Sequence, residues 1–175
     1  MRGSRTVAQA AMVAGIVASG CGGGELTGPP EIRVGRDECA GCGMLLAEDR
    51  SSCALLVEEH GHRQHLVFDD PGCLLDYRAE NSAVQVVEAY VHDFGTGAWV
   101  TAGSASFLFG DSEKLVTPMG SGIAAFANAA AAESRRQAAG GKIMDYQELR
   151  SARMAWKEAR YGGGRTAPGA GEAQR

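Results

Sequence analysis

Apolar positions recur at every second residue over 52–58, where Cys53, Leu55 and Val57 alternate with Ser52, Ala54, Leu56 and Glu58. A second apolar run covers 64–68 with His65 inside it, and Gly61 lies between the two, so the pattern predicts a β-hairpin. Asp69-Asp70-Pro71-Gly72 ends the second run with a capping carboxylate followed by Pro at a first helical position. A short helix over 71–80 is expected there, burying Leu74 and Leu75, with Tyr77 and Cys73 as further candidates. Residues 83–92, with Val84, Val86 and Val91, read as a third strand.

The same order returns downstream. Residues 98–102, 106–109 and 114–117 are strand-like, Pro118-Met119-Gly120-Ser121 reads as a turn, and Ile123, Phe126, Ala127 and Ala130 fall at helical spacing before Gly140-Gly141. Residues 142–144 return as a strand. The chain is therefore expected to be an α+β protein, two β-β-α-β units forming one compact domain, because hairpins outnumber alternating helix and strand. Asp145 and Glu148 carry the spacing of a capping box for a last helix running to about residue 161, followed by a small, polar tail.

The N-terminus has a different character. Arg2 and Arg5 precede an apolar stretch over 7–17, the arrangement of an export signal and too short to span a bilayer. Ala18-Ser19-Gly20-Cys21 has the form of a lipoprotein cleavage site, with Cys21 as the lipidated residue and Gly22-Gly23-Gly24 starting a flexible tether. The expected division is a signal peptide over 1–20, a tether over 21–36, a folded domain over 37–152 and a tail over 153–175. This places the domain in the cell envelope, lipid-anchored and facing the periplasm or extracytoplasmic space. The formal charge of −4 becomes −6 once residues 1–20 leave with two arginines and no acid, which argues against a nucleic-acid partner.

Four cysteines remain beyond Cys21, at positions 39, 42, 53 and 73. In an exported protein an even count is compatible with two disulfides in any of three connectivities. Cys39-Ala40-Gly41-Cys42-Gly43-Met44 admits other chemistry, since it sets two thiols and a thioether on a glycine-rich loop, a donor set that suits Cu(I). A zinc ribbon would need a second Cys pair, and a thiol-disulfide oxidoreductase using Cys39 and Cys42 would normally place them at a helix start. Met119, in a Pro-Met-Gly turn between polar Thr117 and Ser121, is a second soft donor; Met144 and Met154 are expected to pack. His60 and His62 bracket the hairpin turn and are expected to be solvated, while His92-Asp93 is either an outer support of a metal or a hydrogen-bonded strand end. Neither a catalytic Ser-His-Asp spacing nor a phosphate loop is visible, and the protein is not expected to be an enzyme.

Together, the lipoprotein-like leader, the Cys39-Ala-Gly-Cys42-Gly-Met44 loop, Phe68-Asp69-Asp70-x-x-Cys73-x-x-x-Tyr77, Val91-His92-Asp93-Phe94 with Trp99, and Thr117-Pro118-Met119-Gly120 before Ala125-Phe126 resemble the NosL family over residues 37–149. That resemblance implies a membrane-anchored Cu(I) metallochaperone with two β-β-α-β halves. It implies Cys39, Cys42, Met44 and Met119 as metal ligands, nitrous oxide reductase and its ABC-type maturation complex as partners, and delivery to that enzyme's copper cluster. The alternatives left by the residues themselves are a periplasmic thiol-disulfide oxidoreductase and a structural domain whose cysteines form a disulfide.

Overall fold

The computed structural model describes residues 25–162, so the export signal, Cys21 and the end of the tail lie outside the described residues. The first half contains β1 (Cys53–Glu59), β2 (His62–Phe68), α1 (Pro71–Glu80), β3 (Gln85–His92) and β4 (Trp99–Thr101). These strands form one antiparallel sheet in the order β2-β1-β3-β4, with Cys53 opposite Phe68 on one side and Val91 on the other. β1 is central and buried along its first five residues, while β2 is partly exposed and carries His62 and His65. α1 starts where the capping pattern places it: Asp70 accepts from the Gly72 and Cys73 N–H groups, and Pro71 occupies the position whose missing N–H costs nothing.

The second half repeats that topology. β5 (Ser106–Phe109), β6 (Ile123–Phe126), α2 (Ala129–Ala139) and β7 (Lys142–Met144) give an antiparallel sheet of order β6-β5-β7. In both halves the first strand is central, flanked by its hairpin partner and by the strand that follows the helix. The fold is thus α+β with two β-β-α-β units, as expected, and β4 extends the first sheet. α3 (Tyr146–Tyr161) closes the domain behind a complete capping box of Asp145 and Glu148. No helix among the described residues is long and apolar enough to cross a membrane.

Two expected elements differ. Residues 123–126 are a strand, and the helix begins only at Ala129 behind Asn128, whose side chain accepts from the Ala131 N–H. The cause is burial on both faces: Ile123 and Ala125 pack in one apolar cluster and Ala124 and Phe126 in the other. A strand between two cores loses the period of two, and the accidental i, i+3 spacing of Ile123 and Phe126 then mimics a helix. Residues 114–117 form a turn and loop instead of a strand, with the Lys114 and Leu115 N–H groups donating to the Asp111 carbonyl. Their alternation arises because Leu115 and Thr117 anchor the loop inward and leave Val116 exposed.

The halves are stitched together at Asp93 and Phe94. The Asp93 carboxylate accepts from the N–H groups of Gly95, Thr96 and Ala127, and Phe94 N–H donates to the Ala125 carbonyl. Burial opposes the charge on Asp93, but those donors outweigh it and hold the carboxyl below its usual range. His92 is the hydrogen-bonded strand end: its ring stacks on Trp99 at 3.7 Å between centroids, Nδ1 lies 3.1 Å from the Ser52 carbonyl, and burial lowers its pKa.

Candidate metal centre

The Cys39–Met44 loop is folded as a tight reversal. Cys39 N–H donates to the Met44 carbonyl at 2.7 Å, Gly43 N–H donates back to the Cys39 carbonyl at 2.8 Å, and Glu38 bridges to Leu45. A further bond from the Ala40 N–H to the Val67 carbonyl fastens the loop to β2. This geometry turns Cys39 inward, where it is 1% exposed, and leaves Cys42 and Met44 at the surface.

The loop lies on the first turn of α1, which carries Cys73. Gly41 permits the approach, since a Cβ there would sit 3.1 Å from the Cys73 carbonyl oxygen and 3.4 Å from its Cβ. The sulfurs of Cys39, Cys42 and Cys73 all lie within 4.8 Å of one another. Among the described residues this is the one group of three or more cysteine, histidine or acidic side chains placed to share an ion.

The three thiols differ in acidity because of their surroundings. The Cys73 S–H donates to the Cys39 sulfur, and backbone N–H groups of Asp69, Cys42 and Gly41 also point at it, which together outweigh burial and bring Cys39 down to about 5. Donating that bond keeps the proton on Cys73, whose pKa is raised, with burial acting in the same direction. Cys42 is raised by desolvation against a hydrogen bond from the Met44 backbone. The surroundings thus favour the thiolate form at Cys39 and the thiol form at Cys42 and Cys73.

Met119 completes the rim. Cys42, Cys73, Met119, Asp70, Asp76 and Arg153 line one cavity of about 260 Å³. The turn bearing Met119 is held to α1 by Asp70: Oδ1 caps the helix, and Oδ2 accepts from Thr117 Oγ1 at 2.8 Å and from the Ser121 N–H at 3.3 Å. Gly72 allows this contact, because a Cβ there would lie 2.6 Å from Ser121 Cβ. The three acids of the cavity are engaged, Asp70 as described, Asp76 by Arg153, with Nε and Nη2 each 3.0 Å from a carboxylate oxygen, and Glu80 by Lys157 Nζ at 3.3 Å. Sulfur is what the site has free to offer, and a sulfur donor set selects soft ions.

The NosL family profile matches residues 32–154 of this sequence. The chain belongs to the NosL family. Its fold is similar to the crystal structure of the copper chaperone NosL from Shewanella denitrificans, with a TM-score of 0.60 and 25% sequence identity over 69% of this chain and 94% of that one. No curated protein sequence matches it.

Within this NosL domain the four expected sites are divided. Cys39 and Cys42 are brought together, Met119 shares a cavity with Cys42, and Met44 is 56% exposed and is not among the residues lining that cavity. Cys53 is buried in the core and is not part of the thiol trio; burial raises its pKa. His60 is exposed at a backbone φ of 52°, and His65 Nε2 lies 2.7 Å from the Gly28 carbonyl oxygen, so both belong to the hairpin surface. Met144 is partly buried against the core as expected, whereas Met154 is 60% exposed and does not pack.

Cys73 packs against the core from α1, as expected, and it also joins the thiol group, a role that sequence reasoning did not assign to it. Its signal was the spacing Asp70-x-x-Cys73: a residue three beyond an N-cap stands on the helix's first turn, beside whatever loop covers that end. No local pattern says that the covering loop holds two more thiols.

Proposed function

We propose that this protein is a Cu(I) metallochaperone that carries copper for assembly of the copper cluster of nitrous oxide reductase. Three sulfurs within 4.8 Å, with a thioether on the rim of the adjoining cavity, are the observation that carries the reading. Cys39, Cys42, Cys73 and Met119 hold the ion in this account, and Met44 is a surface donor poised to take part in handing it over. Placement supports transfer as well as binding: Cys39 secures copper from the buried side, while Cys42 is open to a partner's ligand. Lipidation of Cys21 would tether the domain to the outer face of a membrane, with the ABC-type maturation complex and the reductase as partners.

The thiol-oxidoreductase alternative fits the geometry less well. An attacking cysteine must combine thiolate character with access. Here Cys39 has the lowered pKa but is 1% exposed, and the exposed Cys42 is raised.

Anaerobic titration against a Cu(I) chelator and, separately, against a Zn(II) indicator tests the proposal. One Cu(I) per chain should bind far more tightly than Zn(II), because the thioether adds affinity for a soft monovalent ion and little for zinc. Equal or tighter zinc binding would overturn it.

A further inference from the structure

On the face bounded by the 110–121 loop and α2, a second cavity of about 390 Å³ is lined by Arg50, Phe94, Lys114, Val116, Phe126 and Arg135. Three cations around an aromatic floor are unexpected in a chain whose formal charge is −4. The guanidinium of Arg50 lies 4.8 Å from the Phe94 ring centroid and that of Arg135 lies 6.0 Å from it. Arg50 shares its charge with Glu48 at 3.0 Å. Lys114 and Arg135 have no acidic partner among the described residues; Arg135 Nη2 donates to the Lys114 carbonyl, and its Nε is buried without a hydrogen-bond acceptor. Beside them Val116 is 66% exposed, an apolar side chain directed outward between buried Leu115 and Thr117.

We propose that this cavity is the docking site for an acidic segment, carrying an apolar side chain, of the protein with which copper is exchanged. The proposal rests on the copper-carrier reading for the partner's role and on the cavity alone for the partner's chemistry. Carboxylates of the segment pair with the Arg135 guanidinium and with exposed Lys114, and its apolar residue packs on Val116 and Phe94. A concave site with an aromatic floor suits a side chain entering it better than a flat array of lipid headgroups. The position also has a consequence for transfer. Val116 and Met119 stand on one loop, and Asp70 clamps that loop to α1 through Thr117. A segment seated here therefore brings the partner's own ligands beside the copper rim, and electrostatic complementarity sets orientation and encounter rate more than affinity.

The test uses an acetylated hexapeptide of alternating glutamate and leucine, the same peptide with glutamine for glutamate, and vesicles of phosphatidylglycerol, each added to the ¹⁵N-labelled protein. The glutamate peptide should shift the amide signals of Gly95, residues 114–116 and Arg135. Its binding should weaken by roughly tenfold in the glutamine form and by a similar factor in Arg135→Gln, the worth of one or two surface ion pairs. Lys114→Gln, a change at an exposed side chain, should weaken it too should Arg135→Gln disturb the loop. Equal binding of both peptides, shifts elsewhere on the surface, or a response to vesicles but not to peptide would each overturn the proposal. Cu(I) titration of the same variants separates the two readings: peptide binding without tight Cu(I) binding removes the copper role and keeps the acidic-segment site, and the reverse removes only the docking site.

Discussion

Cys42→Ala is expected to weaken Cu(I) binding by more than roughly 100-fold, beyond the 10- to 100-fold range seen when only an outer-shell partner of a metal ligand is lost. Cys42 is the exposed member of the trio and shares a cavity with both Cys73 and Met119, so its removal separates the soft donors from one another. A thiolate also neutralises the ion's charge, which a thioether does not. Met119→Ala should therefore cost less, about tenfold, and Cys73→Ala should resemble Cys42→Ala. His60→Ala and Cys53→Ala should leave affinity within a few-fold, the latter with some loss of stability from its fully buried position. Competition titrations of these single variants check the ranking. A Met119 variant with unchanged affinity beside a crippled His60 variant would move the second half of the site to the hairpin.

Asp70→Ala should affect both fold and site. The side chain is fully buried and serves four donors, the Gly72 and Cys73 N–H groups, the Thr117 hydroxyl and the Ser121 N–H. Loss of the cap costs about 1 kcal/mol, and stranding buried donors at the turn adds about 2 kcal/mol. For a domain of this size the sum lowers Tm by about 10 °C. Because the same carboxylate fastens the Met119 turn to the helix bearing Cys73, Cu(I) affinity should also fall, by roughly tenfold. Asp70→Asn keeps one oxygen for the cap and should lie between alanine and the native protein. Thermal unfolding of the apo forms with parallel Cu(I) titrations reads both effects; a normal Tm with lost affinity would mean that Asp70 meets the ion directly.

Where one face of an element meets solvent, its pattern survives in the sequence. The β1–β2 hairpin, the Asp70-Pro71 start of α1 and the Asp145/Glu148 capping box are local devices of that kind, and all stand where they were expected. β6 was misread because it is buried on both faces, and residues 114–117 were misread because a loop anchored at alternate positions has the period of a strand. The candidate site divides along the same line. The Cys39–Met44 loop announces itself through composition, but the contact between Gly41 and Cys73 joins positions far apart in the chain and depends on the missing Cβ of a glycine. Asp70 was legible as a cap and illegible as a clamp, since its second oxygen is used by residues 117 and 121.

X-ray absorption at the copper edge of the Cu(I)-loaded protein tests the central claim most directly. A sulfur-only first coordination sphere, reduced in sulfur number in Cys42→Ala and Cys73→Ala and unchanged in His60→Ala, is the predicted result. A first sphere containing imidazole nitrogen, or one that keeps its full sulfur count when Cys73 is removed, would contradict it.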